Sequence, residues 1–61
     1  MGYELDAAKR YREHAEQLRV IADSDGHERT RQTLLKIASE YEQMAETFIA
    51  IERTNQALGK V

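Results

Sequence analysis

Apolar positions in the first half of the chain fall at Ala8, Tyr11, Ala15, Leu18 and Ala22, spaced by three, four, three and four, with Leu5, Ala7 and Ile21 widening the stripe. That spacing keeps one face of an α-helix apolar. The second half repeats it with Leu34, Ala38, Tyr41, Ala45 and Phe48, flanked by Ile37, Met44 and Ile51 and by Leu35 and Ile49. The alternation of a half-buried strand is missing from both halves. The chain contains no proline, and its three glycines stand at positions 2, 26 and 59, so nothing interrupts either stripe. The pattern predicts an all-α protein: helix 1 over residues 4 to 23, a turn over 24 to 27, and helix 2 over 27 to 57.

The turn reads Asp23-Ser24-Asp25-Gly26-His27-Glu28. Gly26 suits a helix end or tight turn. Asp25 and Glu28 have the spacing of a capping box, with Ser24 as the alternative cap. So short a connection between long helices brings them side by side and antiparallel. The expected seam of this hairpin is Ala8, Tyr11, Ala15, Leu18 and Ala22 against Leu34, Ala38, Tyr41, Ala45 and Phe48. The alanines allow close backbone approach and the larger side chains interleave with them. Arg12 is expected to pair with Glu42 across the helices, and the polar tail Arg53-Thr54-Asn55-Gln56, running past the end of helix 1, is expected to fray.

The segment Tyr11-Arg12-Glu13-His14-Ala15-Glu16-Gln17-Leu18 aligns with Tyr41-Glu42-Gln43-Met44-Ala45-Glu46-Thr47-Phe48 at a shift of thirty residues. The match continues to Ile21 and Ile51. Shared amphipathic demands or an internal duplication would each produce it.

A chain of 61 residues is one domain, and two helices hide only one stripe each. Small domains need a disulfide, a metal or a partner, and no cysteine is present. The apolar arc left over, Leu35, Ile37, Met44, Ile49 and Ile51 of helix 2 with Ile21 and His14 of helix 1, is the expected interface of a homodimer. Two hairpins would then close a four-helix bundle. A buried His14 would make such a dimer sensitive to pH.

Charge and chemistry narrow the function classes. Nine Lys and Arg against eleven Asp and Glu give a net charge of −2 with the signs interspersed. Counterion-release binding to nucleic acid wants a basic face, so nucleic acid is not the favoured partner. Lys9, Arg10, Arg12 and Arg19 with Arg29, Arg31 and Lys36 are diluted by Glu13, Glu16, Asp23, Asp25 and Glu28. The longest apolar run, Phe48 to Ile51, is far short of the roughly 20 residues of a membrane span. The start of the chain lacks the basic and apolar segments of a secretory signal, and a cytoplasmic location is expected. His14 and His27 lie in different elements without the Glu-x-x-His spacing of a di-iron bundle, so no metal or other cofactor is expected. The carboxylate pairs Glu13 with Glu16 and Glu42 with Glu46 read as solvated helix faces. Ser24 and Ser39 have no activating histidine and acid. Gly59-Lys60 lacks the context of a phosphate loop.

The run Tyr11-Arg12-Glu13-His14-Ala15-Glu16-Gln17-Leu18-Arg19-Val20-Ile21-Ala22 is followed by Arg31-Gln32-Thr33-Leu34-Leu35-Lys36-Ile37-Ala38-Ser39-Glu40-Tyr41-Glu42-Gln43-Met44-Ala45. Together they resemble a group of short alphaproteobacterial helical-hairpin proteins with the pattern Y-R-x-x-A-E-x-L-R-x-I-A, a short turn, and L-L-x-I-A-x-x-Y-E-x-M-A. The resemblance covers residues 11 to 45 and departs at the turn, where Gly26-His27-Glu28 replaces an Asp-Pro-Glu opening. It implies a hairpin fold and no activity, ligand or catalytic residue. The expectation is a non-enzymatic homodimeric interaction or regulatory module. The alternatives are an RNA-binding or other nucleic-acid-binding regulator built as a four-helix-bundle dimer, and a subunit of a heteromeric complex.

Overall fold

A computed structural model describes residues 3–59. Two helices, α1 (Tyr3–Ser24) and α2 (Glu28–Gly59), pack along each other as a hairpin 53 Å long and only 15 by 10 Å across. Helix α1 has 22 residues and α2 has 32. The ten extra residues carry α2 roughly 15 Å past the start of α1 at 1.5 Å per residue. The segment expected to fray is regular helix as far as Gly59. Glu4 and Asp6 in the first turn of α1, and Glu28 in that of α2, face the positive end of each helix dipole.

The turn is built differently from the expected capping box. Asp25 N–H donates to the Ala22 carbonyl at 3.2 Å, closing α1 with a tightened last turn. The Ser24 hydroxyl turns back onto the carbonyls of Ile21 (3.1 Å) and Val20 (3.3 Å), so it finishes α1 and does not start α2. The first bond of α2 runs from Arg31 N–H to the His27 carbonyl at 2.9 Å, which places the cap at His27. Asp25 then lies two residues before the cap and accepts the His27 N–H at 2.7 Å. Glu28, now the first residue of the helix, cannot reach back. It accepts from Gln32 at 2.8 Å and lies 3.4 Å from Arg31. Gly26 has no positive φ and open space where a Cβ would stand.

Packing between the helices rests on alanine. Ala15, Ala22, Ala38 and Ala45 are fully excluded from solvent, with Ala8 and Ala7 close behind, and these six are the whole buried set among the described residues. Ala7, outside the expected seam, joins it from the flank. No larger side chain among the described residues is fully buried, and the seam candidates Tyr11, Leu18, Leu34, Tyr41 and Phe48 each keep part of their surface in water. The reason is steric. Alanine at successive contact positions leaves no room between the backbones for a branched or aromatic group, so the large groups sit at the edge of the seam.

Candidate functional site

Both helices shift their large apolar residues to the same side. At 100° per residue, Tyr11 and Leu18 lie about 40 to 60° round α1 from the line through Ala8, Ala15 and Ala22, and His14 and Ile21 about 100 to 120°. On α2, Tyr41 and Phe48 lie about 60 to 80° from the line through Ala38 and Ala45, and Ile37, Met44 and Ile51 about 100 to 140°. In an antiparallel pair those flanks share one face of the hairpin. Contacts confirm the sharing: an unbroken series of rings runs across the seam on that face.

Tyr3 meets Phe48 edge-on with centroids 6.3 Å apart, and Phe48 stacks on Tyr11 at 5.6 Å and 13°. Tyr11 leans on Tyr41 at 5.5 Å, and Tyr41 on His14 at 5.5 Å, each pair tilted by 32°. Contacts of this geometry contribute about 0.5 to 1.5 kcal/mol each beyond area burial. Around the rings stand Ile21 (51% exposed), Met44 (44%) and Ile51 (41%), with Ile37 half-buried and His14 exposed. Two open grooves run along this face. One is lined by Tyr11, Ile37, Glu40, Tyr41 and Met44, and the other by Tyr3, Ala7, Arg10, Tyr11, His14 and Tyr41.

The opposite face is of a different kind. A groove there is lined by Leu5, Ala8, Lys9, Arg12, Glu13, Glu16, Gln17 and Ile49. Two residues expected in a single interface with Ile37, Met44 and Ile51 belong to this side: Leu35 and Ile49 fall about 20 to 60° round α2 from the alanine line in the other sense. The expected interface therefore divides. Ile21, His14, Ile37, Met44 and Ile51 share the aromatic face, while Leu35 and Ile49 lie across the seam from it.

The cross-helix ion pair on the charged face joins Glu42 to Arg19, and not to Arg12 as expected. Arg12 and Arg19 are two turns apart on one stripe, and Arg19 is nearer the turn, on the level where its side chain reaches Glu42. The hydrogen bond between Arg19 and Glu42 holds the Glu42 carboxyl below its usual value and the Arg19 guanidinium above its own, with partial desolvation opposing both. Arg12 adds only a weaker attraction on Glu42. The basic side chains are thus interleaved with Glu13, Glu16 and Glu42, and Arg31 is held near Glu28.

At the turn, His27 Nδ1 lies 3.1 Å from Asp25 Oδ1 in an exposed setting. Among the described residues, no three His, Asp or Glu side chains gather closely enough to hold a metal ion, and no helix is long and apolar enough to cross a membrane. The broad apolar arc was readable from residue spacing. Its two flanks about the alanine line were readable in the same way, whereas the ring contacts across the seam were not, because they depend on the axial register of the two helices. Comparison with protein-family models, with curated proteins and with solved structures finds no match for the chain.

Proposed function

We propose that the chain is a non-enzymatic interaction module that works as a homodimer, two hairpins closing a four-helix bundle over their aromatic faces. One observation carries this reading: no side chain larger than alanine is buried in the described hairpin. The half-buried groups at the seam therefore gain only part of the roughly 1.5 to 3 kcal/mol that full burial of each would contribute, and Ile21, Met44 and Ile51, 41 to 51% exposed, gain less. The accessible surface, 4964 Å², exceeds by about 900 Å² the roughly 4,100 Å² that size scaling gives a compact chain of 7.1 kDa. A standard protein interface covers about 800 Å² on each partner. The surplus on one hairpin is thus of the size that a second hairpin covers.

Geometry supports the same assignment. In a square bundle, one side of each helix faces its hairpin mate, the adjoining side faces the other hairpin, and the angle between them faces the bundle centre. The alanines fill the first role, Ile21, Ile37, Met44 and Ile51 the second, and Tyr11, Leu18, Tyr41 and Phe48 the third. Sedimentation equilibrium tests the proposal: a mass of about twice the 7.1 kDa chain is expected at micromolar concentration. A cooperatively folded monomer under those conditions would overturn it. Met44→Glu is expected to shift the mass toward the monomer and to lower helicity, whereas Gln43→Glu, on the outer face of α2, is expected to leave both unchanged.

A further inference from the structure

The aromatic face also specifies which way round a second copy sits. The thirty-residue repeat places Tyr11 against Tyr41 at the seam, with ring centroids 5.5 Å apart. It pairs Ala15 with Ala45, Ile21 with Ile51 and His14 with Met44. Because the helices are antiparallel, equivalent residues lie at equal distances on either side of that contact. The face therefore has an approximate two-fold axis of its own, through Tyr11 and Tyr41. Two such faces pack with nearly the same shape in either of two orientations: with the turns at the same end, α1 lying over the other chain's α2, or with the turns at opposite ends, each helix lying over its own copy.

Residues that break the approximate symmetry decide between them. Next to Tyr11 stands Arg10, and at the equivalent place next to Tyr41 stands Glu40. Both are exposed, and each lines a groove of the aromatic face, Arg10 on the outer edge of α1 and Glu40 on the outer edge of α2. Opposite charges thus occupy equivalent places near the centre of the face. With turns at opposite ends, each Arg10 comes within about two residues of rise, roughly 3 Å along the axis, of the other chain's Arg10, and Glu40 likewise of Glu40. With turns at the same end, each Arg10 meets Glu40 of the partner at the same small offset, twice in the dimer. Like charges set opposite each other are the usual means by which helical bundles reject an orientation.

We propose that the hairpins dock with their turns at the same end, α1 of each over α2 of the other, fixed by two symmetry-related Arg10–Glu40 pairs at the rim of the aromatic face. The exposed end of α2 agrees with this arrangement. Ile51 and Leu58, 41% and 67% exposed, lie on the aromatic side of a segment that α1 does not cover. With turns together, both such segments extend from the same end of the bundle and can meet.

The orientation rests on the homodimer reading, and charge reversal separates the two. Arg10→Glu and Glu40→Arg, measured singly by sedimentation equilibrium, are each expected to raise the dimer dissociation constant on the order of tenfold. The double reversal is expected to return it to within about threefold of the parent. In the opposite orientation a single reversal only exchanges one like pair for another and leaves the constant unchanged. Because the chain has no cysteine, the variant carrying both Arg10→Cys and Glu40→Cys gives an independent reading. Mild oxidation is expected to yield a covalent dimer whose disulfide joins position 10 of one chain to position 40 of the other. Disulfides joining 10 to 10 or 40 to 40, or reversals without effect in a chain that still dimerises, would overturn the orientation alone. A monomer of parental sequence would overturn both.

Discussion

At Ala15, Ala22, Ala38 and Ala45 the side chain is wholly shielded, and an added branch there must push the facing helix away. Ala15→Leu is expected to destabilise by about 1 to 3 kcal/mol, read as a fall in thermal midpoint of roughly 4 to 8 °C per kcal/mol at fixed protein concentration. Ala50 is the control, because it is exposed on α2. Ala50→Leu is expected to change stability by less than about 0.5 kcal/mol. Equal effects at the two sites would mean that the alanine seam does not set the helix spacing. These alanines were legible as a seam from spacing alone. The aromatic residues interleaved with them in sequence were not legible as edge groups, since spacing does not say how close two backbones come.

The pair Arg19–Glu42 makes a signed prediction. Glu42 titrates below its usual value in the folded chain, chiefly through its hydrogen bond from Arg19. Its contribution is therefore complete above the unfolded carboxyl's pKa and is lost as pH falls through the depressed folded value. Arg19, shifted upward by the same bond, stays charged throughout that range. The stability difference between the parent and Glu42→Gln, from urea unfolding, is thus expected to be present near neutrality and to vanish in acid. It is also expected to shrink in high salt, since both side chains are partly exposed. A difference that grows on acidification would be inconsistent with this account.

At the scale of the elements, α1 and α2 begin and end within two residues of the bounds that periodicity and the glycines predict. Helix propensity and an amphipathic stripe are local properties, so they survive translation into structure. The cap is less local. Asp25, Glu28 and Ser24 all have capping side chains, and which one acts depends on where α1 stops. Because α1 runs through Ser24, the cap moves to His27 and Asp25 serves the His27 N–H from outside the helix. Asp25→Ala is expected to cost about 1 kcal/mol by chemical unfolding. His27→Ala keeps the backbone N–H and removes only an exposed ring, and is expected to cost clearly less. Gly26 adopts no left-handed φ and has space for a methyl group. Gly26→Ala is accordingly expected to stabilise the hairpin by about 0.4 to 1 kcal/mol by narrowing the unfolded ensemble.

For the whole molecule, the long thin shape and a fully buried set made only of alanines leave the larger apolar side chains partly in water. The proposed homodimer couples folding to association, so the thermal midpoint is expected to rise with protein concentration. A midpoint independent of concentration over a hundredfold range, with helicity retained, would contradict it. Two long helices, the turn between them and the alanine stripe that brings them together are written in the residues alone, because each follows from local propensity and 3.6-residue periodicity. The packing of one helix on the other set what remained. Which rings meet across the seam, and that Arg19 and not Arg12 reaches Glu42, depend on the rotation and axial register of one helix against the other. No run of residues along a single helix encodes that relation.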